Sequence, residues 1–127
     1  MRGTMVLVDT SIFIAHFRGK KISEFNEVLI NEQIFLSRFV RLELLQGVRK
    51  SEVKDLTRVL SGLRTLEPTE NVYIEAERIL GKSKGLGISM GIVDLLLCAQ
   101  ANLERCPIYS FDLVFEALAK HHLVAIW

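Results

Sequence analysis

"MVLVDTSIFIAHF", residues 5–17, decides the fold. Val6-Leu7-Val8 is a short aliphatic run without polar alternation, which suits a strand covered on both faces. Asp9-Thr10-Ser11 follows, three residues of helix-capping type, and the spacing after them predicts a short helix from Ser11 to about His16. A buried strand that breaks directly into a helix is the first half of a parallel β–α unit. It also leaves one carboxylate, Asp9, at the end of an otherwise apolar segment.

The alternation continues along the chain. "RGKK" (18–21) is a basic connection, and a helix is predicted over 23–31. "QIFLS" (33–37) reads as a second strand, and Ser37 as the cap of a helix reaching about Val48. A helix from Ser51 to about Gly62 precedes "RTLEP" (64–68), a third strand closed by Pro68. Thr69 caps a helix to about Gly81, "GKSKGLG" (81–87) reads as a flexible basic loop, and a long apolar helix runs from near Ser89 to about Arg105. "PIYS" (107–110) is a fourth strand, 112–120 a helix, and "HLVAIW" (122–127) a fifth, edge-like strand. Strands alternating with helices imply an α/β fold with a central, mainly parallel sheet and helices on both faces. No repeat, low-complexity tract or linker interrupts it, so residues 1–127 read as a single domain.

Half of the 127 residues are hydrophobic, enough for a sizeable core. Sixteen Lys and Arg against fifteen Asp and Glu give a net charge of +1. That excludes a strongly basic nucleic-acid clamp but leaves room for a local patch. Cys98 and Cys106 form no CxxC pair, and a structural zinc site is not expected. No signal-peptide core precedes Val6, and no apolar stretch approaches the ~20 residues of a membrane span. The expectation is a cytoplasmic protein with free thiols and no membrane association.

Four acids stand out by their company. Asp9 and Asp112 follow the first and fourth strands, and in parallel α/β sheets sites form beyond the carboxyl ends of strands. Glu43, in "SRFVRLELLQGV", has Phe39, Val40 and Gly47 as its helical neighbours and lies away from Arg38, Arg41 and Arg49. Gly47, one turn on, leaves room for close approach. Asp94, in "GISMGIVDLLLCAQAN", belongs to a helix that is apolar nearly all round, among Met90, Gly91, Leu97, Cys98 and Ala101. A buried carboxylate must be paired, protonated or metal-bound, and no basic residue lies one turn away to pair with it. Converging carboxylates repel by ~1–4 kcal/mol per close pair. Mg²⁺ or Mn²⁺ relieves this, since such ions prefer oxygen ligands, and acid clusters of this kind suit phosphodiester hydrolysis.

Each of these residues also has a plainer reading. Asp9 and Asp112 are suited to capping helices. Glu43 can be an exposed helical acid, and Asp94 a buried acid bonded to backbone or to a distant Arg. Cys98 reads as core, and His16, His121 and His122 as surface residues without metal-site spacing. The basic residues Arg18, Lys20, Lys21, Lys82 and Lys84 suit either RNA phosphates, if their loops flank the acids, or solubility alone.

With these residues in view, the sequence resembles the PIN-domain ribonuclease family, and within it the small VapC-type toxins of toxin–antitoxin pairs. "LVDTSIFIA", "RLELLQG", "ISMGIVDLLLCAQA" and "PIYSFDLVF" carry the resemblance, in order, over almost the whole chain. It implies a Rossmann-like α/β/α sandwich and a Mg²⁺- or Mn²⁺-dependent endoribonuclease with Asp9, Glu43, Asp94 and Asp112 as its acids. Thr10 and Ser110 match the small hydroxyl positions beside those acids. It further implies a homodimer, a cognate antitoxin that covers the site, and structured RNA, often tRNA, as substrate. One departure concerns a further acid that family members often carry just after the fourth: Leu113, Val114 and Phe115 follow Asp112 here, and Glu116 comes a turn later. This bears on a second metal more than on the first.

Two other readings remain beside the enzyme. One is a catalytically inactive PIN-like module that binds a protein partner or RNA. The other is a response-regulator receiver domain, which calls for adjacent acids after the first strand and a late strand-end lysine; Val8 precedes Asp9, and "PIYS" ends without lysine.

Overall fold

The structure is a computed structural model that describes residues 5–20, 25 and 33–127. Its sheet has four strands, β1 (Met5–Val8), β2 (Gln33–Ser37), β3 (Arg64–Leu66) and β4 (Ile108–Tyr109). Among the described residues six α-helices are bounded: α1 (Thr10–Phe17), α2 (Arg38–Gly47), α3 (Val53–Ser61), α4 (Glu70–Gly85), α5 (Ile92–Glu104) and α6 (Leu113–Ala119). A 3₁₀ turn over Lys50–Glu52 leads into α3.

All strand pairs are parallel, in the order β3-β2-β1-β4. Val6 pairs with Ile34 on one side, and Val8 pairs with Tyr109 on the other. The chain therefore steps outward from β1 to β2 and β3, then returns across the sheet to place β4 on the opposite flank of β1. The order reverses between β1 and β4, so a crevice opens beyond the carboxyl ends of these two strands, where parallel α/β sheets bind their ligands.

β1 is central, and Val6, Leu7 and Val8 are fully buried, as an unalternating strand requires. Around it pack Val40 and Leu44 of α2, Val72 and Ile79 of α4, and Leu97, Cys98, Ala99 and Ala101 of α5. α5 is buried on most of its circumference, and even Gln100 is enclosed, where its Nε2 donates to the Leu66 carbonyl at 3.0 Å and ties the end of β3 to the helix. Ser37 caps α2 as expected, its hydroxyl accepting from the Phe39 amide at 3.2 Å.

Several boundaries differ from expectation. α4 does not stop near Gly81 but runs to Gly85, so "GKSKG" is helical rather than a loop. Ser83 is buried in line with Ile79, and this packing outweighs the poor helix propensity of two glycines, ~1 kcal/mol each. The chain turns at Gly87, whose φ of +72° suits glycine, and α5 starts at Ile92 with extended Gly91 before it. "HLVAIW" is not a full strand: it adds one parallel bridge, Ile126 to Ile108, held by Ile108 N–H to Ala125 O at 3.0 Å and Trp127 N–H to Ile108 O at 2.9 Å. A Cβ built on Gly47 would meet nothing among the described residues within 4 Å, so the space beside this glycine is open. The helix expected over 23–31 falls outside the described residues, apart from Phe25, whose buried ring packs edge-on against Phe13.

Candidate active site

The crevice at the β1–β4 boundary is built first around Asp9. Its amide donates to the Tyr109 carbonyl at 2.9 Å, so the two strands remain joined up to this residue. Asp9 occupies the N-cap position of α1, yet its side chain caps no amide. Instead Oδ2 accepts from the Ser110 hydroxyl at 2.6 Å and from the Ser11 hydroxyl at 3.0 Å. Both hydroxyls are fed from behind by the loop after β4: the Phe111 amide donates to Ser11 Oγ at 3.1 Å, and the Asp112 amide to Ser110 Oγ at 2.9 Å. Such chains polarise each member in turn and fix the carboxylate's orientation.

The other oxygen is treated differently. Asp9 is only 4% exposed, and its Oδ1 has no hydrogen-bond partner among the described residues. A buried acceptor left unmade costs ~1–3 kcal/mol, and more for a charged group. The arrangement satisfies one oxygen and withholds the other.

Glu43 reaches the same region from α2. It is half-buried, and the Thr10 hydroxyl, at the start of α1, donates to its Oε1 at 2.5 Å. Asp112 is exposed and caps α6, its Oδ1 accepting from the Val114 amide at 3.1 Å. Asp94 lies in the first turn of α5, partly buried. Its carboxyl is pushed up from the ordinary value near 3.8 to about 6, first by burial and then by the charges of Asp9, Asp112 and Glu43. One carboxyl thus feels the other three, from four separate elements. They do not close on a point: among the described residues, no three His, Cys, Asp or Glu side chains are clustered tightly enough to form a ready ligand cage.

The donor set fits a hard divalent ion. It offers carboxylate oxygens only, one of them buried and without a partner among the described residues, beside an acid whose ionisation its neighbours oppose. Cys98, one turn beyond Asp94, is fully buried, and burial, with Asp94 and Asp9 behind it, drives its thiol far upward. It is core, as expected, and not a nucleophile.

The hydroxyls of Thr10 and Ser110, which the family resemblance singled out, bond Glu43 and Asp9 respectively. Ser11, in sequence a capping-type residue at a helix start, joins them at the site. Its signal was available, since a hydroxyl two residues after an Asp commonly bonds back to it. The basic residues divide. Lys20 lies over the Phe111 ring, 5.4 Å from its centroid, on the rim of the crevice. Arg18 faces Glu52 at 3.8 Å. Lys82 and Lys84 are exposed on the last turn of α4, on a helix rather than the expected loop, and no contact among the described residues ties them to the acids. Lys21 lies outside the described residues. Glu116 lines a neighbouring pocket with Tyr109, Ser110, Phe111 and Trp127, and is not among the charges acting on Asp94.

An open acidic crevice at the switch point of a parallel sheet defines a class of α/β domain, and comparison with known proteins gives the family. The PIN domain family matches residues 6–121, and the chain belongs to it. Ribonuclease VapC19 of Mycobacterium tuberculosis is 33% identical over 100 residues, covering 76% of this chain and 80% of the relative. Among solved structures, VapBC2 from Rickettsia felis, bound to a DNA fragment from its promoter, is 17% identical with a TM-score of 0.82 over 97% of both chains. VapBC-5 from M. tuberculosis, a member of the VapBC family of toxin–antitoxin systems, is 20% identical with a TM-score of 0.73 over 96% of both chains. These likenesses agree with the α/β fold with a central parallel sheet. Among the described residues, no helix is long and apolar enough to cross a membrane.

Proposed function

We propose that this protein is a divalent-metal-dependent endoribonuclease, the toxin of a toxin–antitoxin pair, acting on RNA in the cytoplasm. The observation that carries the reading is the divided carboxylate of Asp9, with Oδ2 held by two serine hydroxyls and Oδ1 buried without a partner among the described residues. The Ribonuclease VapC19 relative and the likeness to VapBC-5 support the activity and the toxin assignment.

In this reading Asp9, Glu43, Asp94 and Asp112 hold Mg²⁺ or Mn²⁺. The bound ion supplies an activated water and charge stabilisation at the phosphoryl oxygens. Ser11 and Ser110 orient Asp9, and Thr10 holds Glu43 in place from the opposite wall. Lys20, beside Phe111, is placed to meet an RNA phosphate. Arg18, Lys21, Lys82 and Lys84 are weaker candidates for that role. Partners are a cognate antitoxin and a second copy of the chain, for which the exposed Tyr73, Ile74, Leu80 and Ile92 of α4 and α5 supply apolar surface.

A catalytically inactive interaction module is the contrasting reading, but the retained acids and the withheld Oδ1 have no use in it. Cleavage of RNA by purified protein with and without Mg²⁺ or Mn²⁺, repeated with Asp94→Asn, separates the two. The nuclease reading expects cleavage that needs metal and is lost in the variant. Metal-independent cleavage, or full activity of folded Asp94→Asn, would count against it. Co-expression with the adjacent small open reading frame tests the toxin assignment, which expects growth arrest relieved by the neighbour.

A further inference from the structure

Beside the acids, and sharing Ser110 with them, lies a second pocket of about 580 Å³ lined by Tyr109, Ser110, Phe111, Glu116 and Trp127. Its aromatic members are arranged as a shelf. Tyr109 is buried at the end of β4, with the Trp127 ring 4.9 Å away at 51° and the Phe111 ring 6.3 Å away at 74°. The shelf is anchored on both sides. Trp127 is fixed through its amide to Ile108, and Phe111 through its amide to Ser11. Yet Phe111 stays 44% exposed and Trp127 39% exposed, although burial would stabilise both. Lys20 adds a cation over the Phe111 face.

We propose that this shelf is a nucleobase subsite, which takes an unstacked base of single-stranded RNA next to the phosphodiester held at the acids. The proposal rests on the nuclease reading for the nature of the ligand. Exposed aromatic planes with an adjacent cation are how proteins hold unpaired bases and their phosphates. The location follows from the chain itself: Ser110 bonds Asp9 on one side and lines the pocket on the other, so a strand crossing the acids passes the shelf within a residue's length. Glu116 makes the pocket selective. A carboxylate accepts hydrogen bonds and donates none, so it matches the adjacent imino and amino N–H groups of guanine better than the carbonyl-flanked N–H of uracil.

Trp127 is the only tryptophan in the chain, so its fluorescence reports the shelf directly. The 127-residue chain is titrated with the pentaribonucleotides UUGUU and UUUUU in EDTA, which halts metal-dependent cleavage. Saturable quenching is expected, stronger for UUGUU. Phe111→Ala should need about tenfold more RNA and Phe111→Tyr should restore binding, because stacking tolerates one aromatic for another. Glu116→Gln should even out the two pentamers. Absence of saturable quenching, unchanged affinity in folded Phe111→Ala, or a change of emission produced by raising the protein concentration alone (a second copy covering the indole) overturns the subsite. An equal response of wild type to both pentamers overturns the role of Glu116. Mg²⁺-dependent cleavage is followed separately: cleavage without quenching overturns the shelf and leaves the nuclease, whereas quenching without cleavage supports the shelf and removes the nuclease.

Discussion

Ser110 and Asp9 lie 101 residues apart in sequence, yet the Ser110 hydroxyl donates to Asp9 Oδ2 at 2.6 Å and leaves Oδ1 without a partner among the described residues. The pairing exists because β4 inserts beside β1 at the far end of the chain's path through the sheet. Groups that orient a metal-binding carboxylate typically matter by about 10- to 100-fold. Ser110→Ala should therefore lower cleavage by about 10- to 100-fold, and most of the loss should be recovered at high Mg²⁺. Rates measured across a Mg²⁺ series check this, and a variant with the wild-type metal dependence would remove Ser110 from the account.

Thr10 makes the corresponding contact to Glu43 from α1. Thr10→Val keeps the shape of the side chain and deletes the donor. Stability should fall by only about 1 kcal/mol, the usual worth of such a bond. Metal affinity should fall further, because Glu43 is then free to swing toward solvent. Calorimetric titration with Mn²⁺ beside urea unfolding separates the two effects. A loss confined to stability would make Thr10 merely structural.

Asp94 gives a pH dependence with a defined sign. Its folded carboxyl titrates at about 6 against an ordinary 3.8, so between these values the folded state binds more protons than the unfolded one. In metal-free protein its contribution to stability is therefore fully present below about pH 4 and is lost as pH rises through about 6. The loss should reach about 1–2 kcal/mol once solvent screening at this partly buried position is allowed for. Asp94→Asn, which carries no titratable group there, should be the more stable protein at pH 8 without metal. The difference in unfolding free energy between wild type and variant, followed from pH 4 to 8 in EDTA, isolates this residue. A difference that does not change with pH would contradict it.

Gln100 offers a test of the scaffold. Its side chain is buried on α5 and donates to Leu66 O at the end of β3. Gln100→Met should destabilise the protein by about 1 kcal/mol, the usual worth of such a bond, since it removes the donor to Leu66 O together with a buried Oε1 that has no partner among the described residues. The urea midpoint should shift while the slope stays unchanged. No shift would mean that another group takes over the bond.

Much of this was legible in the sequence where burial and periodicity agree. Val6-Leu7-Val8 announced a central strand, and Asp94 announced itself as an acid in a helix with no polar side. The strand order was not legible, because pairing β4 with β1 depends on contacts a hundred residues apart. For the same reason the division of labour between the two oxygens of Asp9 lay out of reach, as did the part played by Ser11. Glycines misled at 81–87, where the buried Ser83 and Ile79 keep α4 helical and move Lys82 and Lys84 onto its last turn. "HLVAIW" has the composition of a strand, but among the described residues it adds a single bridge, Ile126 to Ile108, flanked by the bonds of Ala125 and Trp127 to Ile108.

The central claim is that oxygens from four distant segments share one divalent ion, and crystals grown or soaked in Mn²⁺ test it most directly. The account predicts an anomalous density peak within bonding distance of Asp9 Oδ1, with at least one further carboxylate among Glu43, Asp94 and Asp112 in the same coordination sphere. A saturating Mn²⁺ soak with no peak beside Asp9, or with manganese bound only elsewhere on the protein, would contradict it.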